Sequence, residues 1–557
     1  MVRFFDNRRT ATFLPVALLA IGLIPNISGV KLPIEDSFHR GESFTAAITL
    51  LNQQGSRPLT IHGAWDFLLT LIARLTSSGE AYIFNALYLN QLVSAASAIM
   101  LLLFLQKLLK QKKNTRTTIF LCIAAVLAPE IVGIRDIFLI GTIWMTHELI
   151  RAKNNDSKAL LAIFLVSACL IGGVWSFDRG AIQIFFVTSV LTCVAFFEHK
   201  KIFIFLAFLN VLGAATGIWL GYSLGLIDYI SNFIFLTQTA SQWRFPTSIS
   251  TSANTLLGFI FVASAICYPL GQKISVRNKN FLPFLGGLYL CALLMLKASI
   301  NRADLAHVFS SLWVPLIIIA YSYAESNGVS KIRFLRESLA IMLAISSSAY
   351  FVLPTFYTIM ASQKAAYIIP IFFAAALMNG PFDGERIRAT VFLGSIAVWS
   401  LVTMSFPVTF VKAKTALGEV FRKTRKTPIE VAFKGISYSE IADSGNKWAA
   451  TKIRNSRSEC ILDMTNSGMI NAGVNLPTCT RYAYPVYATR NYESDLLTQV
   501  RNTSPNAIVY STENWQYSID GKGMRVRFPK LDTFLRRKYP IEECNEKYCV
   551  RSRIFKD

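Results

Sequence analysis

The sequence predicts a polytopic α-helical membrane protein followed by a soluble α/β domain. Three observations carry this. Of 557 residues, 53% are hydrophobic and only 16% charged, against roughly 25% charged in a soluble domain. Apolar runs of about 20 residues, the length that crosses a bilayer as a helix, recur through most of the chain. From Lys412 to Asp557 the runs give way to polar chain with ordinary turns, such as Ser504-Pro505 and Ile519-Asp520-Gly521. Two regions follow: a membrane domain over 1–411 and a soluble domain over 412–557.

The net charge of +23 does not point to nucleic acid. Most of the basic residues lie in short loops between apolar runs, where they set the orientation of the spans.

Arg3, Arg8 and Arg9 precede the run Leu14 to Val30. No small-x-small cleavage site closes that run, so it reads as a first membrane helix with a cytoplasmic N-terminus. The second span, Ala81 to Leu105, ends in Lys107, Lys110, Lys112, Lys113 and Arg116 without an acid. This is the strongest inside marker in the chain, and it places the segment 31–80 outside. Within that segment Phe44 to Leu51 and Trp65 to Leu75 are apolar at helical spacing, as in short interfacial helices.

Thr118 to Ile150 is broken by Pro129-Glu130 and Arg135-Asp136. Two short helices with an outside turn at Glu130 to Asp136 fit it, followed by a basic inside loop at Arg151 to Lys158. Leu160 to Phe177 leads out, Ser176 to Gly180 turns, and Ala181 to Phe197 returns to His199, Lys200 and Lys201. Ile202 to Leu220 leads to a second external segment, 221–250. The spans Leu256–Leu270, Phe281–Leu296, Val308–Ala324, Leu339–Pro354, Ala366–Met378 and Ala389–Val411 complete about 13 crossings. An odd number puts the tail outside the cytoplasmic membrane.

In the tail, Cys460 to Met464 and Ala507 to Tyr510 read as strands, with a helix over Tyr492 to Val500 between them. A small α/β domain fits. Cys460, Cys479, Cys544 and Cys549 are disulfide candidates in an oxidising compartment, with Cys544 to Cys549 a local loop. Cys122, Cys169, Cys193, Cys267 and Cys291 fall in spans and read as packing residues.

This topology gathers four ionisable clusters on the outer side: Glu35/Asp36/His39/Glu42, Glu130/Arg135/Asp136, Asp178/Arg179 and Arg302/Asp304/His307. His62 and Asp66 lie in the same first segment. Charges near span ends are costly against lipid, so they face a wet cavity or one another. Asp178-Arg179 reads equally as a pair that satisfies itself. Together the clusters suit a reaction in which a carboxylate deprotonates a hydroxyl and Arg and His hold a phosphate. The outer face has no nucleotide pool and the chain has no Gly-rich phosphate loop. A lipid-phosphate donor arriving from the bilayer meets both constraints.

The arrangement resembles the polytopic GT-C superfamily of glycosyltransferases, which use polyprenyl-phosphate sugars at the outer face of the cytoplasmic membrane. The likeness lies in the inward N-terminus, the first external loop opening on Glu35-Asp36, the many spans and the outer soluble domain. Bacterial members are similar in His39-Arg40-Gly41-Glu42, His62-Gly63 ahead of Asp66, Arg135-Asp136, Arg302-x-Asp304-x-x-His307, Thr465-Asn466 and Thr480-Arg481-Tyr482.

The resemblance implies a membrane glycosyltransferase moving a hexose or pentose from a polyprenyl phosphate to a surface glycan or lipopolysaccharide. It implies Asp36 as catalytic base, with Glu35 beside it. Donor and substrate contacts fall to Arg302, Asp304, His307, Arg135, Asp136, His39, Glu42, His62, Asp66, Asp178 and Arg179. Some members use a divalent cation and others none; the first loop here lacks an Asp-x-Asp. Two other readings stay open: a polysaccharide polymerase or ligase, which the segment 221–250 keeps alive, and a transporter or flippase, which needs mid-membrane clusters and internal repeats.

Overall fold

The computed structural model describes residues 8–27, 48, 59, 63–76, 82–112, 115–226, 228–239, 262–263, 265–274, 280–300, 310–329, 442–465, 468–482, 485–488, 490–511 and 524–554. The expected spans Leu339–Pro354, Ala366–Met378 and Ala389–Val411, and part of Leu256–Leu270, lie outside these residues.

The described N-terminal part is a helical bundle. Its helices are α1 (Arg8–Ile27), α2 (Trp65–Thr76), α3 (Tyr82–Leu108), α4 (Thr115–Ile131), α5 (Ile137–Arg151), α6 (Asn155–Trp175), α7 (Phe177–Glu198), α8 (Ile202–Ser223), α9 (Tyr229–Thr239), α10 (Phe281–Ile300) and α11 (Trp313–Glu325). Among the described residues, Asn85–Leu108 of α3 and the whole of α6, α7 and α8 are long and apolar enough to cross a membrane. Phe164, Phe185, Phe205, Phe208 and Trp219 on α6, α7 and α8 are exposed. Large apolar side chains turned outward on such helices fit contact with hydrocarbon.

The helices alternate between two ends of the bundle. At one end Lys112 Nζ donates to the Ser326 carbonyl, Asn280 Nδ2 to the Ile150 carbonyl at 3.0 Å, and Arg151 bonds Glu325 at 2.8 Å. This end collects basic loops that the sequence assigns to the inside. A two-stranded ribbon of β1 (Gln272–Ile274) and β2 (Ser326–Val329) closes it. At the other end the α4–α5 turn, the α6–α7 turn and the start of α2 meet. Pro129 sits inside α4 rather than ending it. Proline has no N–H to give the carbonyl four residues back, so α4 continues here at the loss of one backbone bond and ends two residues later at Ile131.

Small residues set the spacing in the bundle. A Cβ at Gly217 of α8 would lie 2.0 Å from the Leu170 carbonyl of α6. The two backbones touch only because that side chain is missing, as in small-residue packing within membranes. The bundle core includes Phe104, Phe120, Phe186, Phe284 and Trp313.

The tail is a small α/β unit. Strands β3 (Leu462–Asp463), β4 (Ala507–Ser511), β5 (Ile541–Cys544) and β6 (Tyr548–Ser552) form one sheet in the order β3-β4-β6-β5. β3 and β4 are parallel and the other neighbours antiparallel. Helices α12 (Ser444–Asn455), α13 (Met469–Val474), α14 (Glu493–Thr503) and α15 (Pro529–Lys538) accompany it. The α14 crossover lies between β3 and β4, as parallel strands require. Asp443 caps α12 by accepting from the Asn446 N–H at 2.6 Å. The sheet core joins Ile461, Ala507, Val509 and Val550 to Ala449 and Ile453 of α12. The tail cysteines pair as Cys460–Cys479 and Cys544–Cys549.

The tail is seated on the bundle end that holds the α4–α5 and α6–α7 turns. Ala442, Ala450, Met469 and Ala472 pack with Ile48, Ala73 of α2, and Ala86 and Tyr88 of α3. Leu59 pairs with Tyr482 as a parallel bridge.

Candidate functional site: a charged cluster beneath the tail

Two chain turns build the site. The first is the short 3-10 turn Ile134–Asp136 leading into α5. Asp136 Oδ2 accepts the Gly133 N–H at 2.9 Å, which closes that turn on itself. The second is the junction of α6 and α7. Ser176 is extended there, and its hydroxyl donates to Asp178 Oδ1 at 2.7 Å. The same oxygen accepts the Arg179 N–H at 2.9 Å. An acid in the first turn of a helix meets unpaired N–H groups and the positive end of the helix dipole, so Asp178 is held ionised where it stands.

The side chains link the turns. Arg179 Nε donates to Asp136 Oδ1 at 2.6 Å and its Nη1 to Asp178 Oδ2 at 2.9 Å. Its Nη2 reaches Ser310 Oγ at 3.4 Å, which brings in the approach to α11. Arg135 Nη1 stands 3.4 Å from Asp178 Oδ2. Two arginines and two aspartates cancel in charge, as buried groups must. Arg179 and Asp136 are shut in, whereas the side chains of Arg135 and Asp178 keep 26% and 33% of their exposure. The inner pair braces the turns. The outer pair is the part that solvent or a ligand reaches.

The first segment is fitted against this cluster. Gly63 has φ +111°, and a Cβ there would lie 2.7 Å from the Trp175 carbonyl and 2.8 Å from Ser176 Cα. Only glycine takes that backbone at that approach. The Ala64 N–H then donates to the Val174 carbonyl at 3.0 Å. Trp65 and Leu69 pack with Ile134 and Trp175, and the Trp175 indole donates to the Ile134 carbonyl at 3.0 Å. Asp66 is buried in the first turn of α2.

The structure thus brings Arg135, Asp136, Asp178 and Arg179 together, with Asp66 on the helix packed beside them. Glu35, Asp36, His39, Glu42, His62, Arg302, Asp304 and His307 lie outside the described residues. Sequence reasoning missed Ser176, Ser310 and Trp175. The available signal was the Ser two places before Asp178, a helix-start pattern. It also missed the far end of the bundle, where Glu148 bonds Lys107 at 2.7 Å and His147 at 3.1 Å.

Among the described residues the grouping suited by residue type to a metal is Glu542 with Cys544 and Cys549. Those sulfurs are bonded to each other, so it is a disulfide hairpin.

Two solved structures share this architecture. One is ArnT from Cupriavidus metallidurans bound to undecaprenyl phosphate, aligned over 99% of this chain and 99% of its own at TM-score 0.50 and 13% identity. The other is ArnT from the same organism in the apo state, aligned over 97% and 98% at TM-score 0.51 and 15% identity. The chain has the ArnT fold. The likeness to ArnT runs through bundle and tail alike. No family model and no curated protein sequence matches the chain.

Proposed function

We propose that the protein is a membrane glycosyltransferase, taking a sugar from a polyprenyl-phosphate donor and passing it to a surface glycan or lipopolysaccharide at the outer face of the cytoplasmic membrane. The observation that carries this is the shared fold, over nearly the whole chain, with a protein crystallised on undecaprenyl phosphate. The charged cluster at the tail-bearing end adds support, because it offers a partly open arginine, Arg135, near the helix that carries Asp66 of the first segment.

In this reading Asp36, with Glu35 beside it, takes the proton of the acceptor hydroxyl as its oxygen bonds the anomeric carbon. The bond from that carbon to the phosphate oxygen breaks, and its electron pair leaves with the polyprenyl phosphate. Arg302, His307 and Arg135 neutralise the charge that develops there, the place where fixed donors act most strongly. Asp304, Asp178, His39, Glu42, His62 and Asp66 shape the cavity around donor and acceptor. Asp136 and Arg179, spent on each other, hold the turn that carries Arg135. The acid-rich first loop is where a divalent cation would be held in members that use one.

The test is transfer by the purified chain from a panel of polyprenyl-phosphate hexoses and pentoses, read as polyprenyl phosphate released in the presence of acceptor lipopolysaccharide. Asp36→Asn should lower turnover about 10²- to 10⁴-fold with folding intact. Near-native turnover in both Asp36→Asn and Glu35→Gln would remove the base from this loop. Release with no donor in the panel would sink the function.

A further inference from the structure

Tyr482 stands where three separate stretches of chain meet. Its backbone bridges Leu59 of the first segment, and the Leu59 N–H donates to the Arg481 carbonyl at 2.5 Å. Its ring is 1% exposed and lies 5.8 Å from Phe235 of α9, in the second external segment, and 6.3 Å from Tyr492. The Tyr492 hydroxyl in turn bonds Gln238 of α9.

A closed ring of polar bonds fixes Tyr482 to α14. Its hydroxyl donates to Asp495. The Arg481 guanidinium lies 3.1 Å from the same carboxylate and 5.5 Å from the Tyr482 ring centre. Gln499, one helical turn on, donates to Asp495 at 2.7 Å and accepts the Arg481 N–H at 2.7 Å. Burial, and then the Asp495 carboxylate, hold the Tyr482 hydroxyl well above its ordinary titration range, so it stays a donor. The Cys460–Cys479 bridge and the Cys479 N–H bond to the Ile461 carbonyl at 3.0 Å pin the strand leading into the ring.

The grip is close in sequence to the segment seated on the charged cluster. Leu59 lies just ahead of Gly63, which is wedged against Trp175 and Ser176, and Ser176 holds Asp178. The tail therefore grips both external segments at one point, four residues in sequence ahead of the glycine that seats the first one.

We infer that Tyr482, carried on the Arg481–Asp495–Gln499 ring, is a positioning residue for sugar transfer: it sets the first external segment, whose Gly63 is seated against Trp175 and Ser176, in one fixed relation to α9. This rests on the glycosyltransferase reading above. A positioning role acts on the geometry of the reacting pair rather than on donor capture, and small misplacements of that pair are costly in rate.

The test uses the full chain in lipid nanodiscs, with transfer kinetics and amide hydrogen exchange measured side by side. Tyr482→Ala should lower kcat by about tenfold to a hundredfold, leave donor KM within about twofold, and speed exchange in the peptides around Leu59 to Asp66 and around Phe235. Tyr482→Phe keeps the ring and should recover most of the kcat. Asp495→Asn, on the open side of the ring, should move both readouts the same way by less, and it serves if Tyr482→Ala does not fold. Loosened exchange with unchanged kcat, or unchanged exchange, in an active enzyme would overturn this inference alone. No transfer by the native chain would overturn it together with the function.

Discussion

Arg179 Nε lies 2.6 Å from Asp136 Oδ1, with 4% and 3% of the two side chains exposed. The pair joins α7 to the turn before α5, and it is the shorter and more buried of the two charged links between them, Arg135 to Asp178 at 3.4 Å being the other. Removing one member leaves the other buried and unpaired, at a cost of about 3–5 kcal/mol. Arg179→Ala should therefore lower the unfolding midpoint of the detergent-solubilised protein sharply. Arg179→Ala combined with Asp136→Ala should recover part of the loss, because no orphan charge remains. A double variant no more stable than the single would show that the pair does not brace the turns.

Gly63 makes a second demand. Its positive φ and its contact with Trp175 and Ser176 exclude any side chain. The strained backbone of Gly63→Ala alone costs about 1–3 kcal/mol, and the clash pushes the first segment off the cluster. Transfer should fall in this variant while the tail disulfides stay formed, checked by non-reducing mass mapping. Native turnover in Gly63→Ala would mean that this seat is not needed.

The two disulfides should differ in worth. Cys460–Cys479 closes 19 residues and Cys544–Cys549 closes 5. A longer closed loop removes more freedom from the unfolded chain, within an overall range of about 2–5 kcal/mol for a native bridge. Replacing Cys460 and Cys479 by Ser should cost more stability than replacing Cys544 and Cys549, measured as protease resistance of the tail in the full chain. The reverse order would place the strain of the tail in the hairpin.

Acid should release Asp443. Its burial raises the carboxyl pKa, but the Lys547 ammonium and the Asn446 N–H outweigh that and hold it below the usual carboxylate range. A folded pKa below the unfolded one adds stability that is present above the unfolded value and is lost as pH falls through the folded one. Tail stability should therefore drop below about pH 4, and Asp443→Asn should flatten that part of the curve. Half of this side chain is open to solvent, so the slope is shallow. An identical pH curve in Asp443→Asn would assign the acid loss to other groups.

The sequence made the helices legible because apolar runs and basic loops each obey a local rule. The ends that gather Lys112, Arg151 and Asn280 are the ends that the basic loops mark. The tail was legible for the same reason, since β4 and α14 fall close to the apolar stretches that suggested them. What stayed hidden is long-range. Arg135-Asp136 and Asp178-Arg179 stand out as charged pairs, but no spacing rule says that Arg179 turns away from its neighbour's full embrace to bond Asp136 in another helix. Helix α9 was hidden as well, because an 11-residue helix inside an external segment lacks the length that marks a span. The meeting of Leu59 with Tyr482 has no signature in either stretch.

That meeting also fixes an order of assembly. Leu59 is made early in synthesis, and its partner Tyr482 follows only after the bundle helices have been made. A contact between residues so far apart in sequence forms late, since the chain between them must first be ordered. Until the tail has been made and folded, the front segment lacks this latch. A partly made chain is thus a bundle whose front segment is still unlatched.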